Sequence, residues 1–155
     1  MWTITNLNYF IENHTKGKAI IGHGPDHPVI MFVKQNPGPY EVIHRMPFPE
    51  SSLQKIKEAV EACDLEMKEI YLTNAIKVIP ADGNFPNWSE VYFWKWVLTS
   101  EIKLVKPQNI IALGTATAKW LGHKSALTLP DPGSITFNDN KIAKLIRFIK
   151  YGEQS

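Results

Sequence analysis

The chain is poor in cysteine, with Cys63 the only one. A single thiol excludes an intramolecular disulfide framework and any cysteine-based metal or iron–sulfur cluster. Five histidines are present, and no structural zinc site is expected of them. Net charge is small, +2 over 155 residues. Charge alone therefore neither demands nor opposes a nucleic-acid partner. No apolar run approaches the roughly 20 residues that span a bilayer, so no membrane partner is expected. The opening MWTITNLNYFIENH lacks a basic region followed by an apolar core. No signal peptide is expected, and a soluble, intracellular (cytoplasmic) protein is the default. There is no repeat, low-complexity tract or linker, which leaves one domain over 1–155. The motifs GxGxxG, GxxxxGK[ST] and GxSxG are also missing. Nucleotide hydrolysis and a serine-hydrolase triad are poorly supported for that reason.

What is present is a pattern of short apolar runs separated by helical periodicity. VIMFV (29–33), IYLTNAI (70–76), NIIALG (109–114) and ALTLP (126–130) have strand character. The first and third are apolar throughout, as expected of strands buried on both faces. Between them, Ser51 or Ser52 can cap a helix with Leu53, Ile56, Val60 and Cys63 on one face. A longer helix follows Ser89 and turns Trp94, Val97, Leu98, Ile102 and Val105 inward, until Pro107 stops it. TATAKWL makes a short helix ended by Gly122, and residues 5–14 an opening one. The last helix starts near Asn138 or Asp139, with Ile142, Leu145, Ile146 and Ile149 inward. Strands alternating with helices predict a three-layer α/β/α sandwich around a mainly parallel four-stranded sheet. Ligands then sit at the carboxyl ends of the strands. Those ends carry KQNPGPYE, Asn74, GTAT and PDPGSITFND.

Several of these residues read two ways. Asn36 has a carboxamide that orients a water or holds a polar ligand atom, or it forms an Asx-turn that shapes the loop. Asn74 interrupts an apolar strand. Left unpaired, a buried amide costs roughly 1–3 kcal/mol, so it needs a partner, either backbone or ligand. Gly114 and Thr115 stand at a helix N-terminus that suits a phosphate, or simply close a strand–turn–helix. Phe48 is either core or a stacking platform for a base. PDPGS is a Pro/Gly turn or part of the site. Cys63 falls on an inner helix face and reads as packing.

In order and spacing, five segments from about Val29 to Ser134 resemble the uracil-DNA glycosylase superfamily, most of all its family 4 branch. VKQNPGPYE resembles the first catalytic motif. RMPFPESSLQKI resembles the segment whose Pro-Phe supplies the aromatic stack, which implies Phe48. EIYLTNAIKVIPADGNFPNWSE is similar to the strand carrying the base-reading Asn, here Asn74, followed by Lys77 and a proline-rich loop. LVKPQNIIALGTATAKWL resembles the strand and helix whose start lies near the DNA backbone. LPDPGSI falls where the family has its His-Pro-Ser motif and the loop that enters the DNA groove.

The resemblance implies Asn36, Gln35 and Asp131 at the catalytic positions. It implies base or sugar contacts from Pro37, Gly38, Phe48 and Asn74. Lys77, Gly114, Thr115, Ser134 and Ile135 are implied on the DNA side. The implied partner is DNA containing uracil or a damaged base, with no cofactor or metal and a monomeric chain. The chain departs from the pattern in four respects. Family 4 carries a cysteine-ligated iron–sulfur cluster, which one cysteine cannot supply. Gln35 stands for the family 4 Glu, and Asn36 resembles the Asn of the mismatch-specific branch. Asp131 replaces the His that donates toward uracil O2. An ionised Asp131 there would repel the departing base. Two like charges about 4 Å apart cost roughly 4 kcal/mol at an effective dielectric near 20, about a thousandfold in rate. Three functions stay open: a base-excision glycosylase for uracil or a related deaminated base, a glycosylase-like module that binds DNA, a nucleotide or a protein with little or no catalysis, and a generic flavodoxin-like small-molecule binder.

Overall fold

Residues 2–80, 88–134 and 137–152 are described by the structure, a computed structural model. Strands β1 (Ile30–Lys34), β2 (Ile70–Asn74), β3 (Asn109–Leu113) and β4 (Leu127–Leu129) form one sheet in the order β2-β1-β3-β4. Every strand pair is parallel. β1 and β2 are buried along their whole length, as their apolar sequences require of strands covered on both faces. Register decides which side chains share a face. Ile30, Phe32 and Lys34 of β1 stand beside Ile70, Leu72 and Asn74 of β2.

The helices are α1 (Ile4–His14), α2 (Pro39–His44), α3 (Glu50–Glu61), α4 (Trp88–Val105), α5 (Thr115–Leu121) and α6 (Asp139–Tyr151). On one face of the sheet, Ile30, Phe32, Leu72 and Ile111 join Ile56 and Val60 of α3, Leu145 of α6 and Phe48 in one core. On the other, Met31, Val33 and Ala112 pack with Leu98 of α4 and Leu121 of α5. α1 lies outside α4, with Leu7 and Ile11 against Trp94 and Val97. The result is the expected three-layer α/β/α arrangement. Because the strand order reverses direction between β1 and β3, their carboxyl ends frame the crevice in which ligands of such sheets bind.

Local chemistry explains where elements begin and where the expectations shift. Thr3 caps α1 by accepting from the Asn6 N–H, and Asn6 returns the bond to the Thr3 N–H. Asn138 caps α6 by accepting from the Asn140 and Lys141 N–H groups. α3 is not capped by Ser51 or Ser52: it starts at Glu50 behind Pro49, and the Ser52 hydroxyl turns inward, buried and without a partner. β2 stops at Asn74 rather than at 76. Cys63 lies past the end of α3, half-buried, with its sulfur 3.8 Å from the Ile146 carbonyl oxygen. α2 was not anticipated. Pro39 presets the first helical φ, and Glu41 accepts from the Gly38 N–H at 3.0 Å, closing the turn that VKQNPGPYE begins. Among the described residues no helix is long and apolar enough to cross a membrane.

Candidate active site

β1 and β2 end side by side, and their last residues are Lys34 and Asn74, paired in register. The Asn74 carboxamide is fully buried, and its Nδ2 donates to the Pro47 carbonyl oxygen at 2.8 Å. Its Oδ1 is also buried and has no partner. A carbonyl can only accept, so Pro47 fixes which end of the amide is which. The chain therefore holds a fixed, orphaned acceptor beside Phe48, the next residue after Pro47.

Lys34 is 5% exposed, unusual for a lysine, and must be paired to be so buried. Its ammonium donates to Glu41 Oε1 and to the Asn36 carbonyl oxygen, both at 2.8 Å. It also lies over the Phe48 ring, 5.5 Å from the centroid. Glu41 uses its second oxygen on the Gly38 N–H. One ion pair thus ties the strand end to α2 and holds the Asn-Pro-Gly turn between them. Asn36 is half-buried, and its Nδ2 donates to the neighbouring Pro37 carbonyl oxygen at 3.0 Å. Phe48 is fully buried in the core and borders Lys34 on one side.

Asp131 does something local. Its Oδ1 accepts from the Gly133 N–H at 2.8 Å, and its carbonyl oxygen accepts from the Ser134 N–H at 2.9 Å. The aspartate shapes the loop after β4, as an Asx-turn does. Lys55 of α3 pins the same loop by donating to the Pro132 carbonyl oxygen at 2.8 Å. Gln35 points to the opposite face of the sheet. There it lines a cavity of about 130 Å³ with Ala75, Ala116, Thr117 and Trp120. Gly114 takes a φ of 101°, which glycine alone tolerates easily, and Thr115 is exposed at the start of α5. Ile135 lies outside the described residues.

Lys77 corrects an expectation. It is fully buried rather than near DNA, and its three ammonium protons are all engaged. They meet Glu101 Oε1 at 2.8 Å, Thr73 Oγ1 at 2.8 Å and the Asn74 carbonyl oxygen at 2.6 Å. Tyr71 and Thr73 donate their hydroxyls to the same Glu101 carboxylate. Burial, reinforced by the Glu101 charge, pushes the Tyr71 phenol pKa far above its ordinary range. Lys77 therefore positions Asn74 from behind.

The structure thus brings Asn36, Pro37, Gly38, Phe48 and Asn74 to one end of one sheet face. It leaves Lys77 and Gln35 on the other. Sequence reasoning missed Lys34, Glu41 and the Pro47 carbonyl. A signal for Lys34 existed: a lysine closing a strand buried on both faces requires an ionic partner. A groove of about 750 Å³ on the β2 edge is lined by Ile21, His23, Arg45, Leu53 and Met67 together with Met46 and Pro47, but by none of Lys34, Asn36, Phe48 and Asn74. Cys63 is the one cysteine of this sequence, so these residues do not supply the thiolates of a cysteine-ligated iron–sulfur cluster, and burial, the main cause, raises its thiol pKa. Among the described residues no three His, Cys, Asp or Glu side chains could hold a metal ion. His23 and His27 are four apart, but Gly24 and Pro25 keep that segment out of a helix, and His23 bridges to Leu72 instead.

In comparisons with known proteins, a family model described as the uracil DNA glycosylase superfamily matches residues 21–150. The type-4 uracil-DNA glycosylase of Pyrobaculum aerophilum is 32% identical over 103 residues, 66% of this chain and 53% of that protein. The one from Saccharolobus solfataricus is 26% identical over 118 residues, 76% and 55% of the two chains. The one from Archaeoglobus fulgidus is 26% identical over 107 residues, 69% and 54%. The chain spans about half the length of these curated relatives. Motif order, parallel sheet and matched range agree: the chain belongs to the uracil DNA glycosylase superfamily.

Proposed function

We propose that the protein is a DNA base-excision glycosylase that hydrolyses the N-glycosidic bond of uracil or a related deaminated base. The observation that carries this is the orphaned Asn74 Oδ1, locked in place by Pro47. Deamination converts a ring nitrogen on the Watson–Crick edge from acceptor to donor: cytosine N3 becomes uracil N3–H, and adenine N1 becomes hypoxanthine N1–H. A fixed acceptor at this position pairs with the deaminated base and opposes the lone pair of the parent. Such a mismatch of buried polar groups is worth roughly 1–3 kcal/mol, or about 5- to 150-fold. The base would leave the stack, as enzymes that act on bases require, and lie against Phe48.

The remaining chemistry is spare. A water oxygen bonds to C1′ while the C1′–N bond breaks, and its electron pair leaves with the base. The water's proton ends on the base through solvent. Asn36 carries no charge and cannot act as a strong base, but its amide can hold the water beside the sugar. Pro37 and Gly38 bring backbone close to the sugar. Gly114, Thr115 and Ser134, with Ile135, belong to the DNA-facing rim in this reading, and the chain acts alone.

The second reading, a binding module without efficient catalysis, is favoured by one observation. Phe48 and Asn74 are both fully buried, so the base has no ready opening onto them. Base release separates the two. The protein should free base from a single-uracil oligonucleotide and leave an alkali-labile site. Asn74→Asp keeps an acceptor but loses the Pro47 bond, and should cut uracil release at least about tenfold. Intact strand after alkali across uracil, hypoxanthine and xanthine substrates would leave the binding module.

A further inference from the structure

The family places a donor where the departing base gathers negative charge, and here that position is Asp131, spent on its own turn. A buried cationic group on the same sheet face can supply that charge stabilisation instead. Lys34 is that group. It stands in register with Asn74 on β1 and β2. Its ammonium lies 5.5 Å from the Phe48 ring centroid. An ammonium has three protons, and only two are committed, to Glu41 and the Asn36 carbonyl oxygen. The third has no partner among the described residues. The neighbouring cation Lys55 is turned to the Pro132 carbonyl and the Phe137 ring.

Resting on the glycosylase reading above, we infer that Lys34 is a catalytic residue: its ammonium donates to the departing base and stabilises the charge that develops there. The side chain now covers the Phe48 ring face. A base that takes that face meets the ammonium at its edge, still tethered through Asn36 and Glu41. Glu41 keeps the ammonium charged and aimed, which makes it a positioning residue. Lys34 forms no bond to the sugar and gives up no proton in the step. It supplies a preorganised donor and a positive charge in a water-poor site, where such donors act most strongly.

Leaving-group dependence distinguishes this from a structural role. Fluorine at C5 stabilises the base anion by itself, so 5-fluorouracil needs less help than uracil. Single-turnover release is measured from uracil and 5-fluorouracil oligonucleotides with the full chain, Lys34→Met and Lys34→Arg. Removing one such donor typically costs a hundredfold or more. Lys34→Met should lose about 100-fold on uracil but only about 10-fold on 5-fluorouracil, and Lys34→Arg should recover part of both. Equal losses on the two bases, or none, overturn the inference while the glycosylase reading stands. Failure of the unmodified chain to release either base overturns both. If Lys34→Met does not give a folded far-ultraviolet spectrum, Lys34→Gln carries the same comparison, with the same two outcomes.

Discussion

Lys77→Met should destabilise the protein severely and leave its surface charge contacts unchanged. The perturbation removes the cation at the centre of a buried cluster. Lys77 and Glu101 are both fully buried and 2.8 Å apart. Breaking such a pair by deleting one partner typically costs about 3–5 kcal/mol, because the remaining charge stays in the interior. The Asn74 carbonyl loses its 2.6 Å donor in the same step. In a domain of this size each kcal/mol shifts Tm by roughly 2–4 °C, so the expected fall is about 6–20 °C. Urea unfolding followed by circular dichroism gives the free energy directly. Lys77→Met/Glu101→Gln should recover half or more of the loss, since the amide keeps an acceptor for the Tyr71 and Thr73 hydroxyls and carries no charge. A single variant within about 1 kcal/mol of the parent would refute the reasoning. So would a DNA-binding salt slope reduced by about one unit, the mark of a lost phosphate contact.

Tyr71 gives a pH signature. Its phenol stays protonated in the fold well above the ordinary value, through burial first and the Glu101 charge second. The unfolded chain releases that proton near pH 10. Above that, the native state binds one more proton than the unfolded state, so stability falls by about 1.4 kcal/mol per pH unit from this group. Tyr71→Phe should flatten the decline, read as urea midpoints at pH 9, 10 and 11; an unchanged slope would show the phenol ionising in the fold. Asp131 is predicted to act through its turn alone. Asp131→Asn keeps the acceptor for Gly133 and should alter uracil release by less than about threefold, under ~0.7 kcal/mol. A rise approaching a thousandfold would show a charge facing the base.

The fold was legible because its signals were strong and local. Strands buried on both faces read as unbroken apolar runs, and Asn138 marked its helix start. The site was legible in part. Asn74 stood out as an amide in an apolar strand, and the structure gives it backbone on one side and an open acceptor on the other. Lys77 misled because its position in the motif order suggested a surface cation. Its partner Glu101 lies 24 residues away on α4, a distance that only the packed structure closes. α2 was missed because Pro-Gly-Pro reads as a loop, although the same Gly38 and Pro39 open a helix once Glu41 accepts the turn's N–H.

Asn74 is constrained from both faces of the sheet, and this bears on specificity. Lys77 holds its carbonyl from one side, and Pro47 holds its Nδ2 from the other. A free carboxamide could rotate by 180° and offer a donor to cytosine N3 as readily as an acceptor to uracil N3–H. Here rotation would set the Oδ1 lone pairs against the Pro47 carbonyl and orphan two acceptors in place of one. At roughly 1–3 kcal/mol for each buried unpaired group, that alternative is sparsely populated. In the proposed glycosylase, discrimination against the parent base would then rest on a backbone carbonyl that no side-chain substitution at residue 47 removes. It would also rest on the ion pair behind the strand, so weakening Lys77–Glu101 should loosen any base choice as well as the fold.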